Sequence, residues 1–169
     1  MSIRSLLVAV TLFGVGSSAR AQDHKVEEKD VPKAVLDHVH SKYKTSKLTG
    51  FEQKVRDGKT LIEVKIEGGE KPLEINCALD GTIVYETEKV TLESVPEKVR
   101  AAYKANSKYA PWTFHHAERV VLGEKADNVH YKIKLTQGGI MAKLEFTPDG
   151  TLVKTEEKAR GGGAPKAAK

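Results

Sequence analysis

The chain carries nearly the same eleven residues twice. LDGTIVYETEK spans Leu79 to Lys89 and PDGTLVKTEEK spans Pro148 to Lys158, sixty-nine positions further on. A repeat restricts a fold strongly, because whatever local structure the first copy favours, the second favours too. Residues 61–89 align without a gap on residues 130–158: Gly69 meets Gly138, Asp80-Gly81-Thr82 meets Asp149-Gly150-Thr151, and Val84 meets Val153. Apolar positions correspond as well, with Ile62, Val64 and Ile66 on Tyr131, Ile133 and Leu135, and with Ile75 and Cys77 on Leu144 and Phe146. Upstream the offset is sixty-four. There Val31-Pro32 meets Val95-Pro96 and Val35 meets Val99, and the five additional residues of the second copy fall in the loop LGEKADN.

Within each copy the periodicities indicate the elements. Turn pairs at Asp57-Gly58, Gly68-Gly69 and Asp80-Gly81 separate stretches that alternate apolar and polar, the pattern of a strand meander. Ile62, Val64 and Ile66 share one strand face and Glu63 and Lys65 the other; Leu73, Ile75, Cys77 and Leu79 repeat this on the next strand. Val31 to Tyr43 places Val35, Val39 and Tyr43 four apart, predicting an amphipathic helix with proline in its first turn. Ser94 and Glu97 form a capping box at the start of the second helix. The expected fold class is therefore α+β: two tandem units of one helix and four antiparallel strands, joined into one larger sheet with the helices on one face.

Met1 to Ala21 stands apart from this pattern. Arg4 supplies a charged start, Leu6 to Gly16 is an apolar run of signal-peptide length, and Ala19-Arg20-Ala21 is an A-x-A cleavage site. The expected organisation is an export signal at 1–21, a first repeat at 22–92, a second at 93–158 and a disordered basic tail at 159–169. That places the mature chain, starting at Gln22, in the periplasm or outside the cell, with no membrane span. Charge follows the same division. The formal +5 includes Arg4, Arg20, Lys158, Arg160, Lys166 and Lys169, and without those six residues 22–157 carry −1. A nucleic-acid surface needs clustered cations with stacking aromatics, and this body has near-balanced Lys and Glu, so nucleic acid is not an expected partner. The single cysteine, Cys77, allows no internal disulfide, so stability rests on a packed core.

Catalytic signatures are absent from the sequence. It has no G-x-S-x-G, no G-x-x-x-x-G-K-[ST], no H-E-x-x-H and no paired cysteines. Of the six histidines, His38 and His40 are two apart on a predicted helix and diverge, while His115 and His116 are adjacent on a predicted strand and oppose each other. No metal or cofactor is expected. Asp80-Gly81 and Asp149-Gly150 lack the further oxygen donors of a calcium loop and are hairpin turns. Cys77 aligns with Phe146 on the inward face, the position of a buried structural thiol. On the opposite face the alternation puts Glu63, Lys65, Glu74, Asn76 and Glu86 in the first copy, and Lys132, Lys134, Lys143, Glu145 and Glu157 in the second. That face is the candidate partner-binding surface, though Lys and Glu are also what a merely solvated face carries. Trp112 and Phe114 are the candidate aromatic anchors, and Trp112, which aligns with Leu48, also suits a core position.

Val95-Pro96-Glu97-Lys98-Val99 on a helix, followed by antiparallel strands and Asp149-Gly150-Thr151-Leu152-Val153, resembles the repeat of the PepSY-like proteins grouped with beta-lactamase-inhibitor-like folds. The resemblance covers about residues 30–158, in two copies. It implies an extracytoplasmic, non-catalytic module whose sheet binds a protein or peptide, with inhibition of an extracytoplasmic enzyme among its forms. The alternative is an unrecognised enzyme, or an envelope protein that binds metal through its histidines. The resemblance carries no catalytic residues.

Overall fold

The computed structural model describes residues 23–68 and 72–159. The expected signal segment, its cleavage site, residues 69–71 and residues 160–169 of the tail lie outside those. Among the described residues, nine strands form one antiparallel sheet in chain order: β1 (His24–Val26), β2 (Lys47–Arg56), β3 (Lys59–Glu67), β4 (Leu73–Ala78), β5 (Ile83–Val90), β6 (Thr113–Leu122), β7 (Val129–Gln137), β8 (Ile140–Phe146) and β9 (Leu152–Ala159). Two helices interrupt the order, α1 (Lys33–Lys42) before β2 and α2 (Glu97–Ala105) before β6.

This corrects the expected fold class. The molecule is not an α+β pair of helix-plus-four-strand units but a mainly β protein built on one continuous sheet, with helices of only 10 and 9 residues. The short helices and the extra strand β1 overturn the expectation, in which the two units were already joined into one larger sheet. β5 and β6 pair through six positions, from Tyr85↔Leu122 to Val90↔Ala117, so the sheet has no break at its middle. β1 adds a strand before α1, pairing His24, Lys25 and Val26 with Gln53, Glu52 and Phe51.

Both helices lie on the same face and each closes its own core. Val35 and Val39 of α1, fully buried, sit over Ile62, Val64, Ile75, Cys77 and Ile83. Val99 and Tyr103 of α2 sit over Ala117, Ile133, Leu135, Leu144 and Phe146. The four-residue spacing of the valines puts them one above the other on a single helix face. Pro32 and Pro96, with φ of −53° and −51° and extended ψ, are the cap residues, so each helix begins one residue after its proline. The expected capping box is corrected accordingly. Ser94 lies two residues before the cap and donates instead to the Thr91 carbonyl at 2.9 Å.

The repeated Asp-Gly-Thr segments are tight turns that dock on the helices. Gly81 (φ +89°) and Gly150 (φ +91°) approach the helix backbone so closely that a Cβ would lie 2.5 Å from the Ala34 carbonyl oxygen and 2.7 Å from that of Lys98. Only glycine meets both demands, the positive φ and the missing side chain. The preceding aspartates hold the turns from outside: Thr82 N–H donates to Asp80 Oδ1 and Thr151 Oγ1 to Asp149 Oδ2, each at 2.9 Å.

Candidate functional site

The face without helices is the candidate site. Strand register decides which side chains it carries, since alternate residues point to opposite sides. Glu63, Lys65, Glu74 and Asn76 share it in the first half, as the pairs Glu63↔Asn76 and Lys65↔Glu74 show. Lys132, Lys134, Lys143 and Glu145 share it in the second, through Lys132↔Glu145 and Lys134↔Lys143. The structure therefore brings eight of the ten candidate face residues to one side.

Glu86 and Glu157 are the exceptions. Asn76 pairs with Tyr85 and Cys77 with Ile83, which leaves Val84 as a bulged residue and reverses the alternation after it. Glu86 then pairs with Ile75 and points to the helix side, where Tyr43 Oη donates to it at 2.7 Å and Lys42 Nζ at 2.5 Å. Val153 is bulged in the same way in the second half, so Glu157 also points to the helix side and accepts from Tyr109 Oη and Lys108 Nζ, each at 2.6 Å. A second repeat underlies this likeness. Ser-Lys-Tyr occurs at residues 41–43 and 107–109. Its lysine and tyrosine clamp a glutamate of the last strand in each half, and that duplicated tripeptide was the signal by which the clamps could have been found.

The aromatic candidates are not on the open face. Trp112 packs on the second core and meets Tyr109 edge-on at 5.3 Å between centroids. Phe114 pairs with Leu135, whose side chain is in that core, and is 36% exposed. The aromatic residue that the open face does carry is Tyr85, brought there by the bulge at Val84.

A groove of about 350 Å³ runs along the open face, lined by residues of every strand from β2 to β9. In a flat sheet β2 and β9 would stand roughly 34 Å apart, at about 4.8 Å per strand. One groove lined by Lys54 and Arg56 of β2 together with Lys154 and Glu156 of β9 requires the sheet to coil with its open face inward. Charge acts across the gap as well: Asp57 raises Lys154, after the stronger effect of Glu156, and Lys158 contributes to lowering Asp23, behind the dominant Arg56.

Coiling buries polar and charged groups that no helix covers. Glu63 is 4% exposed, Glu118 5% and Asn76 1%. Most of these charges are satisfied within the groove. Lys54 donates to Glu63, Lys134 to Glu118, and His130 Nδ1 lies 2.6 Å from Glu145 Oε1. Burial pushes the Glu118 carboxyl up, but the Lys134 ammonium and the hydrogen bonds from Lys134 and His116 outweigh it and hold the group below its ordinary value. Glu74 differs. Burial, and then the Glu63 carboxylate, raise it. Burial and the neighbouring Lys134 lower Lys143, which has its carboxylate partner, Glu156, only at 4.0 Å.

The remaining candidate chemistry is dispersed. Cys77 is fully buried in the first core, and burial pushes its thiol up to about 11. His38 stands 3.4 Å from Glu124 of the inserted loop, away from the groove, and His116 is 2.9 Å from Glu118. Among the described residues no three His, Cys, Asp or Glu side chains converge as metal ligands. Among them too, no helix is long and apolar enough to cross a membrane.

No family model matches the chain, and no curated protein matches it in sequence. Solved structures share its fold. A BLIP-like protein from Bacteroides fragilis superposes with a TM-score of 0.57 at 14% identity, covering 78% of this chain and 89% of that one. A protein from Bacteroides eggerthii that its name places in the periplasm gives 0.62 at 17%, covering 76% and 90%. A DUF2874 family protein from Bacteroides ovatus gives 0.58 at 22%, covering 75% and 86%. At these identities the likeness is one of fold.

Proposed function

We propose that this protein is an exported, non-catalytic binding module that takes a protein or peptide on the coiled open face of its sheet. The observation that carries the reading is the groove itself. A surface free of any function has no reason to hold Glu63, Glu118 and Asn76 away from water at the cost of desolvating them, whereas a binding surface gains order and specificity from charges already fixed in place. The ion pairs Lys54–Glu63 and Lys134–Glu118 pre-organise that face, so that little side-chain freedom is lost when a partner docks.

The fold it shares with a BLIP-like protein and with a protein named as periplasmic supports an extracytoplasmic setting and a protein partner, inhibition being one form such binding takes. Export through a signal at residues 1–21, with the mature chain starting at Gln22, belongs to the same reading. So does the view of residues 22–92 and 93–158 as two PepSY-like copies whose sheets have merged.

Site-specific photo-crosslinking tests the reading. A crosslinking residue at Thr87 or Lys154, both lining the groove, is expected to capture one discrete protein or peptide in the native envelope. The same residue at Asp37, on the exposed side of α1, is expected to capture none. Equal capture from both faces, or none from the groove positions, would remove the open face as the binding surface.

A further inference from the structure

Most of the groove's charges already have partners, and two neighbours on β4 do not. An ion pair already made attracts a ligand weakly, because the new contact must first replace the old one. Lys54 with Glu63, Lys134 with Glu118, His130 with Glu145 and Lys154 with Glu156 are in that condition. Glu74 lines the groove, and no described residue gives it a hydrogen bond or an ion pair. The cations that act on it, Lys54 and Lys65, are bonded to Glu63 and Glu52 instead. Two residues along the same strand face is Asn76, almost wholly buried, whose Oδ1 has no partner. Its Nδ2 makes no hydrogen bond either, so turning the carboxamide presents the oxygen to the groove without breaking anything.

These are two acceptors about 7 Å apart along one strand, both lacking donors. Glu63, across from Asn76 on β3, adds negative potential. Tyr85, across from Asn76 on β5, has a ring suited to a cation, at present Lys132 Nζ 5.5 Å from its centre, which an arriving guanidinium would displace at the small cost of one partly exposed contact. We propose that Glu74, Asn76 and Tyr85 form a subsite for an arginine side chain of the partner. The planar guanidinium carries five N–H donors in a fixed fork, so it can pair with the Glu74 carboxylate and donate to Asn76 Oδ1 at once while lying against the phenol ring; an ammonium is a point charge. The subsite is one-sided. Sixty-nine positions on, Glu74 and Asn76 are replaced by Lys143 and Glu145, a cation and an already bonded carboxylate, so the other half of the groove repels the same group and the partner docks in one direction. The elevated carboxyl of Glu74 agrees with this, being what a buried carboxylate shows when its cation has not arrived.

The inference rests on the open face being the binding surface, and its test separates the two. The full mature protein, labelled with ¹⁵N, is titrated with the blocked peptide Ac-Gly-Gly-Arg-Gly-Gly-NH₂ and with versions carrying citrulline, lysine or glutamate in place of arginine. The arginine peptide is expected to shift the Asn76 side-chain amide and the Glu74 backbone amide with a millimolar dissociation constant. Citrulline, its neutral isostere, is expected to bind about tenfold more weakly, as expected for a lost charge-assisted pair, and lysine several-fold more weakly. Glu74→Gln should weaken the arginine peptide about tenfold and Asn76→Ala about threefold, with neither variant melting lower than the parent. Equal binding of citrulline or lysine, or unchanged binding to Glu74→Gln, would overturn the subsite. If the glutamate peptide shifts Lys134 and Lys143 while the arginine peptide shifts nothing, the subsite fails and the open face stands as a binding surface. Failure of the groove crosslinks would instead remove the surface itself.

Discussion

The two halves of the sheet solve the same backbone problem with the same residues and the same packing problem with different ones. Proline caps both helices, glycine passes under both helix carbonyls, a valine bulges from both last strands, and a Lys-Tyr pair holds a glutamate in both. The cores differ. The first is aliphatic apart from Phe51 and the half-buried Tyr43, with Cys77 where the second has Phe146; the second carries Tyr103, Tyr109 and Trp112 together with the small Ala117 and Ala142. A positive φ or a carbonyl contact admits one residue type, whereas a core asks only that the summed volume fill the space. On the open face, where neither demand applies, even charge sign is free to change, and Glu63 and Glu74 stand against Lys132 and Lys143. The devices common to both halves are thus the ones that define the backbone, and the open-face residues that differ are those on which the proposed recognition rests.

The strongest way to break this comparison is to separate the halves. Cutting between residues 92 and 93 severs the six β5–β6 pairs and leaves each product with new open strand edges over a core closed by one short helix. Chains of about 70 residues bury only about 60% of their unfolded surface or a little more, which makes each half marginal. Residues 22–92 and 93–158 expressed alone are expected to be unfolded or self-associating, while 22–158 unfolds in one cooperative step as a monomer. Two sharp, independent transitions equal to those within the whole chain would show that the halves fold separately and that the continuous groove is not a property of the fold.

Smaller, but still large, is the effect of a methyl group under either helix. Gly81→Ala and Gly150→Ala each meet a backbone carbonyl that cannot move without shifting the helix, in addition to a disfavoured φ. Each is expected to lose about 3 kcal/mol or more, measured by urea unfolding. Gly58 gives the control. Its φ is +75° with nothing within 4 Å of the added atom, so Gly58→Ala is expected to lose only about 1–2 kcal/mol. Near-equal losses at all three positions would mean that strain alone acts and that the docking of the turns on the helices contributes nothing.

What the chain discloses before folding follows the same division. Period-two alternation placed Ile62, Val64, Ile66, Ile75 and Cys77 inward because β3 and β4 are regular over those positions. It misplaced Glu86 and passed over Tyr85 because one bulged residue, Val84, inverts every side chain after it, and an exposed valine in a strand looks like any other. β1 is not legible in the sequence, since three residues, His-Lys-Val, carry no pattern and take their register only against β2. The groove was hidden most completely. Its charges were legible, but their burial comes from the accumulated twist of nine strands, which no local stretch encodes.

The finest test of the comparison sets one glutamate of each half against the other. Glu118 of the second half is buried and paired with Lys134, and its carboxyl lies below the ordinary value, so it stabilises the fold above the usual carboxylate range and loses that contribution as pH falls through its depressed value. Removing its charge leaves Lys134 half-buried without its carboxylate. Glu118→Gln is therefore expected to lose about 2–3 kcal/mol at pH 7, less than a pair cut deep in a core, with the difference shrinking as the medium is acidified. Glu74 of the first half has the opposite sign. Its carboxyl is raised, so the fold favours the protonated form; the contribution is present in acid and lost as pH rises through the raised value. Glu74→Gln should thus match the parent near pH 3 and be equal to it or more stable by up to about 1 kcal/mol at pH 7. Urea unfolding of the parent and both variants from pH 3 to 7.5 reads the two curves directly. If they run parallel, Glu74 is an ordinary member of the charge network. If they diverge as expected, the parent carries at neutral pH a charge that destabilises its own fold, and a cationic partner seated at Glu74 is expected to restore the difference.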